Sequence, residues 1–319
     1  SMDDNPHQLV DFMDYAIPSL LTEGLYFADG QILDEVYVYG SFMQSKMYAR
    51  DVRCSDCHDV HSIRRIKDGN VLCLQCHKAA EYDSKNHHFH KMPGEKGEAI
   101  RDASGEVLFD VGSGAQCEQC HMPGRYYMGI DYRPDHSFRI PRPDLSVRLG
   151  TPNACNRCHY DKSDQWSQEY MVKWYGTKQR PHYGSILAAG REHQPEALDA
   201  LVELAGDRLY PAIARATALE QLAAYGGEKS RLAFTRALAD EEAIMRQTAV
   251  RRLNEPDPLK MLSLLSPLLY DPVKAVRIEA AQRLTILPTE MITGDLRTKF
   301  EGVLAEYQKA AEHTGDFAA

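Results

Sequence analysis

The chain has 319 residues, 43% of them hydrophobic and 26% charged, with a formal net charge of −9. A mean hydropathy of −0.47, with no apolar run near 18 residues, excludes a membrane-spanning helix. The acidic balance is spread evenly, −5 over residues 1–180 and −4 over the rest, and argues against a nucleic-acid-binding surface, which is normally basic.

The first elements are modest. Residues 1–25 read as an amphipathic helix with Leu9, Phe12, Met13 and Ile17 on one face, stopped by Pro18. Asp29-Gly30 is a turn, and the β-branched and aromatic run Ile32–Tyr39 reads as a strand or extended segment. Residues 1–50 thus form a lead-in. The acidic start has no signal-peptide pattern, and Ser1-Met2 reads as a cloning remnant.

All eight cysteines lie between residues 54 and 158. They fall as Cys54-Ser-Asp-Cys57-His58, Cys73-Leu-Gln-Cys76-His77, Cys117-Glu-Gln-Cys120-His121 and Cys155-Asn-Arg-Cys158-His159. Cys-x-x-Cys-His is the attachment signature of c-type haem: two thiols add across the porphyrin vinyl groups and the adjacent histidine binds the iron axially. Zinc ribbons also use Cys-x-x-Cys but place no demand on the next residue. Histidine is 13 of 319 residues, so four trailing histidines by chance have odds of roughly 0.04 to the fourth power, a few in a million. The sequence therefore predicts four covalently bound haem c groups, held by the eight cysteines, with His58, His77, His121 and His159 as proximal ligands. Because covalent haem attachment takes place outside the cytoplasm, an exported precursor and a periplasmic or extracellular location are expected.

Each iron has a sixth position. His61, His88, His90 and His136 are the distal candidates, with His182 a weaker one, because they lie in the segments that separate the attachment sites. His61 is too close to His58 to cap its own haem and would reach a neighbour. His87 ranks below His88 and His90, since three neighbouring histidines are not all needed. His7, His193 and His313 read as solvent-exposed, and Met122 and Met128 as core packing. The gaps between motifs are 14, 39 and 33 residues, so the haems must lie close together, with short helices at the attachment sites. Residues 91–94, 102–105 and 139–144 read as turns or extended segments.

Four segments resemble a family of bacterial multihaem cytochromes c that carry TPR- or HEAT-like helical repeats after the haems. They are Tyr39-Gly-Ser-Phe-Met-Gln-Ser-Lys-Met-Tyr48, Cys54-Ser-Asp-Cys-His-Asp-Val-His-Ser62, Asp135-His-Ser-Phe-Arg-Ile-Pro-Arg-Pro-Asp144 and Gly150-Thr-Pro-Asn-Ala-Cys-Asn-Arg-Cys-His159. The haem core of that family is similar to the cytochrome c nitrite reductase and hydroxylamine oxidoreductase superfamily. In those reductases a Cys-x-x-Cys-His-Met-Pro site is followed by Asp-His, whose histidine caps another haem; the resemblance carries this onto Cys117–Pro123 and His136. It covers about residues 20–185. No Cys-x-x-Cys-Lys site is present, a departure from the reductases. Members also often carry further haem motifs upstream.

The last third contains no cysteine and reads helical. Ala214-Arg215-x-x-Ala218-x-x-x-Leu222 recurs at Met245-Arg246 and Val276-Arg277, a spacing of 31 residues, twice. The intervening helices are 195–205, 229–239 and 258–270, with a capping helix over 290–312. The recurring arginines read as hydrogen-bonding between helices. The fold class predicted is mainly α: an irregular multihaem cytochrome c domain with little sheet over 1–180, then an α-solenoid of HEAT-like repeats over 181–319. The expected function is electron transfer to a redox partner protein docked on the repeats. The alternative is reduction of nitrite, hydroxylamine or a similar small molecule at one haem with an open distal site.

Overall fold

The computed structural model describes residues 11–315; the chain is mainly helical, with two small two-stranded sheets. It divides into two compact units, Glu23–Ser185 and a second made of Ile186 onward together with the stretch ending at Thr22. The division falls between Ser185 and Ile186, and the N-terminal stretch belongs with the C-terminal helices.

In the Glu23–Ser185 unit the lead-in is folded inward. Gly30 turns at φ +86°, where a side chain would overlap Gln44 Oε1 at 2.1 Å. Gln44 Nε2 donates to the Gly30 and Gly40 carbonyls at 3.0 and 3.1 Å, and Gln44 Oε1 accepts the Tyr183 hydroxyl at 2.7 Å. The run Ile32–Tyr39 is not a strand: only Ile32 pairs, with Tyr26, and Val38–Phe42 forms helix α1. Burial of Gly40, Ser41 and Phe42 overrides the β preference of Val38 and Tyr39.

The first cysteine motif is a 3-10 turn, Cys54–Asp56, followed by the short helices α2 (Asn70–Cys73), α3 (Ala79–Tyr82) and α4 (Lys85–His88). Strands β1 (Ile100–Arg101) and β2 (Val107–Phe109) pair antiparallel across the turn at 102–105. Helix α5 (Cys117–His121) carries the third motif. A hairpin of β3 (Gly124–Tyr127) and β4 (Asp131–Pro134) follows, its tip exposing Met128 at 67% rather than packing it in the core. The segment 139–144 is extended only to Arg142; Pro143 opens α6 (Pro143–Leu149), since proline suits the first helical turn. Helix α7 (Cys155–Cys158) carries the fourth motif, and α8 (Asp164–Tyr175) packs on α6. The buried apolar side chains of this unit include Tyr26, Ile32, Phe42, Tyr127, Leu145 and Tyr183. From residue 46 to residue 111 no residue is buried.

Helix α9 (Tyr183–Arg191) begins in one unit and ends in the other. The second unit continues with α10 (Ala197–Gly206), α11 (Ala212–Leu222), α12 (Gly227–Ala237), α13 (Ala243–Arg252), α14 (Pro258–Leu265), α15 (Lys274–Leu284) and α16 (Gly294–Gly315). Helices α11, α13 and α15 carry the recurring sequence and pack in series. Ala218, Ala249 and Ala280, together with Leu222, Leu253 and Leu284, are all 0% exposed: the alanines let the helices approach and the leucines fill the next layer.

The three recurring arginines bond to interhelical loops and to the neighbouring helices α10 and α16, and form a continuous rail. Arg215 pairs with Asp240 and donates to the Ala205 carbonyl at 3.2 Å. Arg246 grips Asp271 through Nε and Nη2 at 2.7 and 2.9 Å and donates to the Asp240 carbonyl at 2.8 Å. Arg277 donates to the Pro272 carbonyl at 3.0 Å and pairs with Glu306 at 2.8 Å.

The expected N-terminal helix is replaced, within the described residues, by a 3-10 turn at Phe12–Asp14 and an extended strap; Leu9 lies outside them. Met13 and Leu21 are buried, whereas Phe12 and Ile17 are exposed. Tertiary bonds fix the strap: Asp14 accepts the Lys274 N–H at 2.6 Å, the Leu21 N–H donates to Thr217 Oγ1 at 3.0 Å, and Arg191 donates to the Leu21 carbonyl at 2.8 Å.

Arg246→Leu strands the Asp271 carboxylate, only 4% exposed, and is expected to cost about 3–5 kcal/mol of unfolding free energy. Arg208→Ala removes an ion pair whose side chains are 62% and 78% exposed and should cost under about 1 kcal/mol. Urea unfolding of the two variants side by side checks this difference.

Candidate metal centres

Each cysteine motif closes one helical turn. The amides of His58, His77 and His159 donate to the carbonyls of Cys54, Cys73 and Cys155 at 2.9, 3.1 and 2.9 Å, and His121 ends α5. Residues i, i+3 and i+4 of a turn share one face, so each motif presents two thiols and an imidazole together. All eight cysteines are free and none is buried.

The motifs are tied in succession. The Cys117 N–H donates to Asn70 Oδ1 at 2.8 Å, so the start of α2 caps α5. Arg65 pairs with Glu118 at 2.7 Å, and Arg157 reaches Gln119 at 3.2 Å and the Tyr132 hydroxyl at 2.6 Å. The thiols follow the same order. Burial pushes the Cys57 thiol up, helped by the nearby Cys73 and Cys76. A hydrogen bond with Cys117 lowers the Cys73 thiol to about 7 and pushes Cys117 up. Burial raises Cys120 to about 11, with Cys155 and Cys158 adding to it.

Three of the four motif histidines face a second imidazole. His58 and His136 have ring centroids 6.3 Å apart with planes at 30°, His121 and His87 are 6.1 Å apart at 10°, and His159 and His90 are 6.3 Å apart at 34°. Two imidazoles on one metal, each bonded at about 2.0–2.1 Å with about 1.1 Å from nitrogen to ring centre, have centroids about 6.3 Å apart. The centroid spacing of each pair is the one that a shared iron would require.

The hydrogen bonds suit the same use. His58 Nδ1 faces the Ile63 carbonyl at 2.8 Å, His121 Nδ1 the Arg139 carbonyl at 2.8 Å, His136 Nδ1 the Pro134 carbonyl at 3.0 Å, and His90 Nδ1 the His88 carbonyl. A ring nitrogen facing a carbonyl carries the proton, leaving the Nε2 lone pair for a metal. Burial holds His121, His136 and His159 below the usual histidine range, so they are neutral at neutral pH. Among the described residues no three His, Cys, Asp or Glu side chains gather as a cage for a bare metal ion; a haem iron asks the chain only for axial ligands.

The distal candidates separate. His136 and His90 are paired. His87, ranked low on sequence, is paired as well: Phe89 breaks the local helix, so His87 and His90 serve different partners. His61 is exposed, and among the described residues no imidazole stacks on it; the Asp59 carboxylate accepts the amides of His61 and Ser62 at 3.2 and 2.9 Å and fixes the turn that leaves His61 exposed. His88 Nδ1 accepts the His90 N–H at 3.1 Å, which puts its proton on a buried, unpartnered Nε2; it orients His90. His182 packs on Tyr183 at 4.2 Å and its Nδ1 accepts the Gly184 N–H at 3.0 Å, away from any motif histidine. His77 is exposed; its ring neighbour is Tyr82, edge-on at 5.7 Å, and among the described residues no imidazole stacks on it. His193 is exposed, as expected; His7 and the side chain of His313 lie outside the described residues.

Sequence reasoning missed the supports. The aromatic stripe of α8 backs one pair: Trp166 lies 5.0 Å from His159 and Trp174 lies 5.7 Å from His90. Their spacing at i, i+4 and i+8 with Tyr170 was the available signal. Arg139, whose carbonyl accepts a hydrogen bond from His121 Nδ1, bonds Asp135 at 2.9 Å and Asp29 at 3.5 Å, joining the surroundings of His121 to those of His136. No protein-family model, curated protein or solved structure matches the chain.

Burial and the neighbouring Arg139 and Arg142 charges push His182 down to about 3. The unfolded chain takes up this proton near pH 6.5, so the folded state loses stability as pH falls from about 6.5 towards 3. His182→Gln is expected to flatten that part of the stability–pH curve, measured by urea unfolding at a series of pH values; an unchanged slope contradicts the assignment.

Proposed function

We propose that this chain is a tetrahaem c-type cytochrome that carries electrons. The observation that supports this best is the set of three imidazole pairs at 6.1–6.3 Å, each joining an attachment-motif histidine to a histidine from a distant part of the chain. Cys54/Cys57, Cys73/Cys76, Cys117/Cys120 and Cys155/Cys158 would hold the porphyrins. His58/His136, His121/His87 and His159/His90 would be the axial pairs, and His77 the proximal ligand of the remaining iron. The haem supplies one-electron chemistry at iron, and bis-histidine ligation favours low potentials over His/Met ligation. The residues do the rest: backbone carbonyls fix the imidazole tautomers, and the succession of neighbouring thiols sets a linear order of centres, first to fourth motif. The helical repeats, read as a HEAT-like α-solenoid, offer a face for the redox partner. Covalent attachment implies a periplasmic or extracellular setting.

A second reading has its own observation. His77 faces no second imidazole among the described residues, so its iron is the candidate for an open site at which a small molecule such as nitrite or hydroxylamine is reduced.

Electron paramagnetic resonance of the oxidised protein tests both. Three low-spin irons and one high-spin iron that binds cyanide are expected, and His136→Ala, His87→Ala and His90→Ala should each convert one further iron to high spin. Four low-spin irons unresponsive to cyanide would remove the enzymatic reading and leave the carrier. A histidine variant that changes no iron would refute its assigned pair.

A further inference from the structure

The pairs His87/His121 and His90/His159 draw their motif-distant members from one short stretch, and that stretch is held from one point. Phe89 closes α4 at φ 56°, a left-handed conformation that a phenylalanine adopts only under constraint. Had the helix continued, His87 and His90 would share a face; the reversal sends them to different partners. The constraint is visible. The Phe89 ring lies flat on Trp174, centroids 4.9 Å apart and planes within 3°, and meets Tyr175 edge-on at 5.5 Å. The Tyr175 hydroxyl donates to the His87 carbonyl, and Trp174 also meets the His90 ring edge-on at 5.7 Å. On its other side His90 rests on Gly114, where a Cβ would come within 2.3 Å of His90 Cδ2.

We propose that Phe89, clamped between Trp174 and Tyr175, is a positioning residue that sets the axial ligands of two irons at once, so that the third- and fourth-motif centres share one mechanical support. This rests on the haem reading above, and its test separates the two. The readouts, taken on the full chain loaded with haem, are the pyridine haemochrome count, the low-spin signals and the individual potentials from a redox titration. Phe89→Gly keeps the left-handed backbone accessible and removes the stack; it is expected to change the spin state or potential of two irons. Phe89→Tyr retains the stack and should match the wild type. Gly114→Ala pushes only on His90 and should change one iron, that of His159. A Phe89→Gly protein with all four centres unchanged, or with one altered, overturns the clamp. Should Phe89→Gly load fewer than four haems, Trp174→Leu carries the same expectation of two altered irons, and none or one overturns it. A wild-type protein without a haemochrome signal defeats the haem reading itself, before the clamp is reached.

Discussion

The stretch from residue 46 to residue 111 buries no residue, and this constraint governs the rest. Ordering a backbone costs about 1–2 kcal/mol per residue, and burial of apolar surface is the main term that offsets it. A segment with no core of its own must take its burial from elsewhere. Four porphyrins bonded to Cys54–Cys158 would supply that surface, and the geometry around the motifs matches such a use. Each motif is one closed helical turn, the loops between them are tied by Asn70, Arg65 and Arg157, and three histidine pairs stand at a metal-sharing distance. The modest hydrophobic content of the chain is then no weakness, because this stretch would need little ordinary core.

The helices after residue 186 solve the same problem conventionally. Alanine and leucine layers at 0% exposure give a dry interior, and the arginine rail satisfies loop carbonyls and carboxylates that the helix ends would otherwise strand. The rail runs by ion pairs and carbonyl bonds from Arg215 through Asp240, Arg246, Asp271 and Arg277 to Glu306. This unit also captures the strap from Asp11 to Thr22 through Thr217, Arg191 and Lys274. The polypeptide therefore holds a self-sufficient helical interior after residue 186 and a stretch, 46–111, with no buried residue of its own.

What was legible in the sequence follows from how local each signal is. The motifs are five-residue signatures, and the 31-residue repeat is a period, so both could be read without tertiary knowledge. The helices expected over 195–205 and 229–239 match α10 and α12 for that reason, and that over 258–270 matches α14 as far as Leu265. Residues 11–25 and the end of the run Ile32–Tyr39 depart from the local reading because tertiary partners, not propensity, decide them: Phe42 is drawn inward and Asp14 is held by the Lys274 amide. Spacing along the chain says nothing of the left-handed Phe89 that separates His87 from His90, nor of the Asp59 turn that leaves His61 exposed. The pairing of His136 with His58 spans the unit, and only its place between the third and fourth motifs hinted at it.

The account stands or falls on the eight thiols. Intact-mass spectrometry of the chain produced in a host with haem-attachment machinery, combined with thiol titration after unfolding, tests it directly. The account predicts the polypeptide mass plus four haems and no titratable thiol. A chain of bare polypeptide mass with eight reactive thiols, or one whose thiols are released by removing zinc, would contradict it.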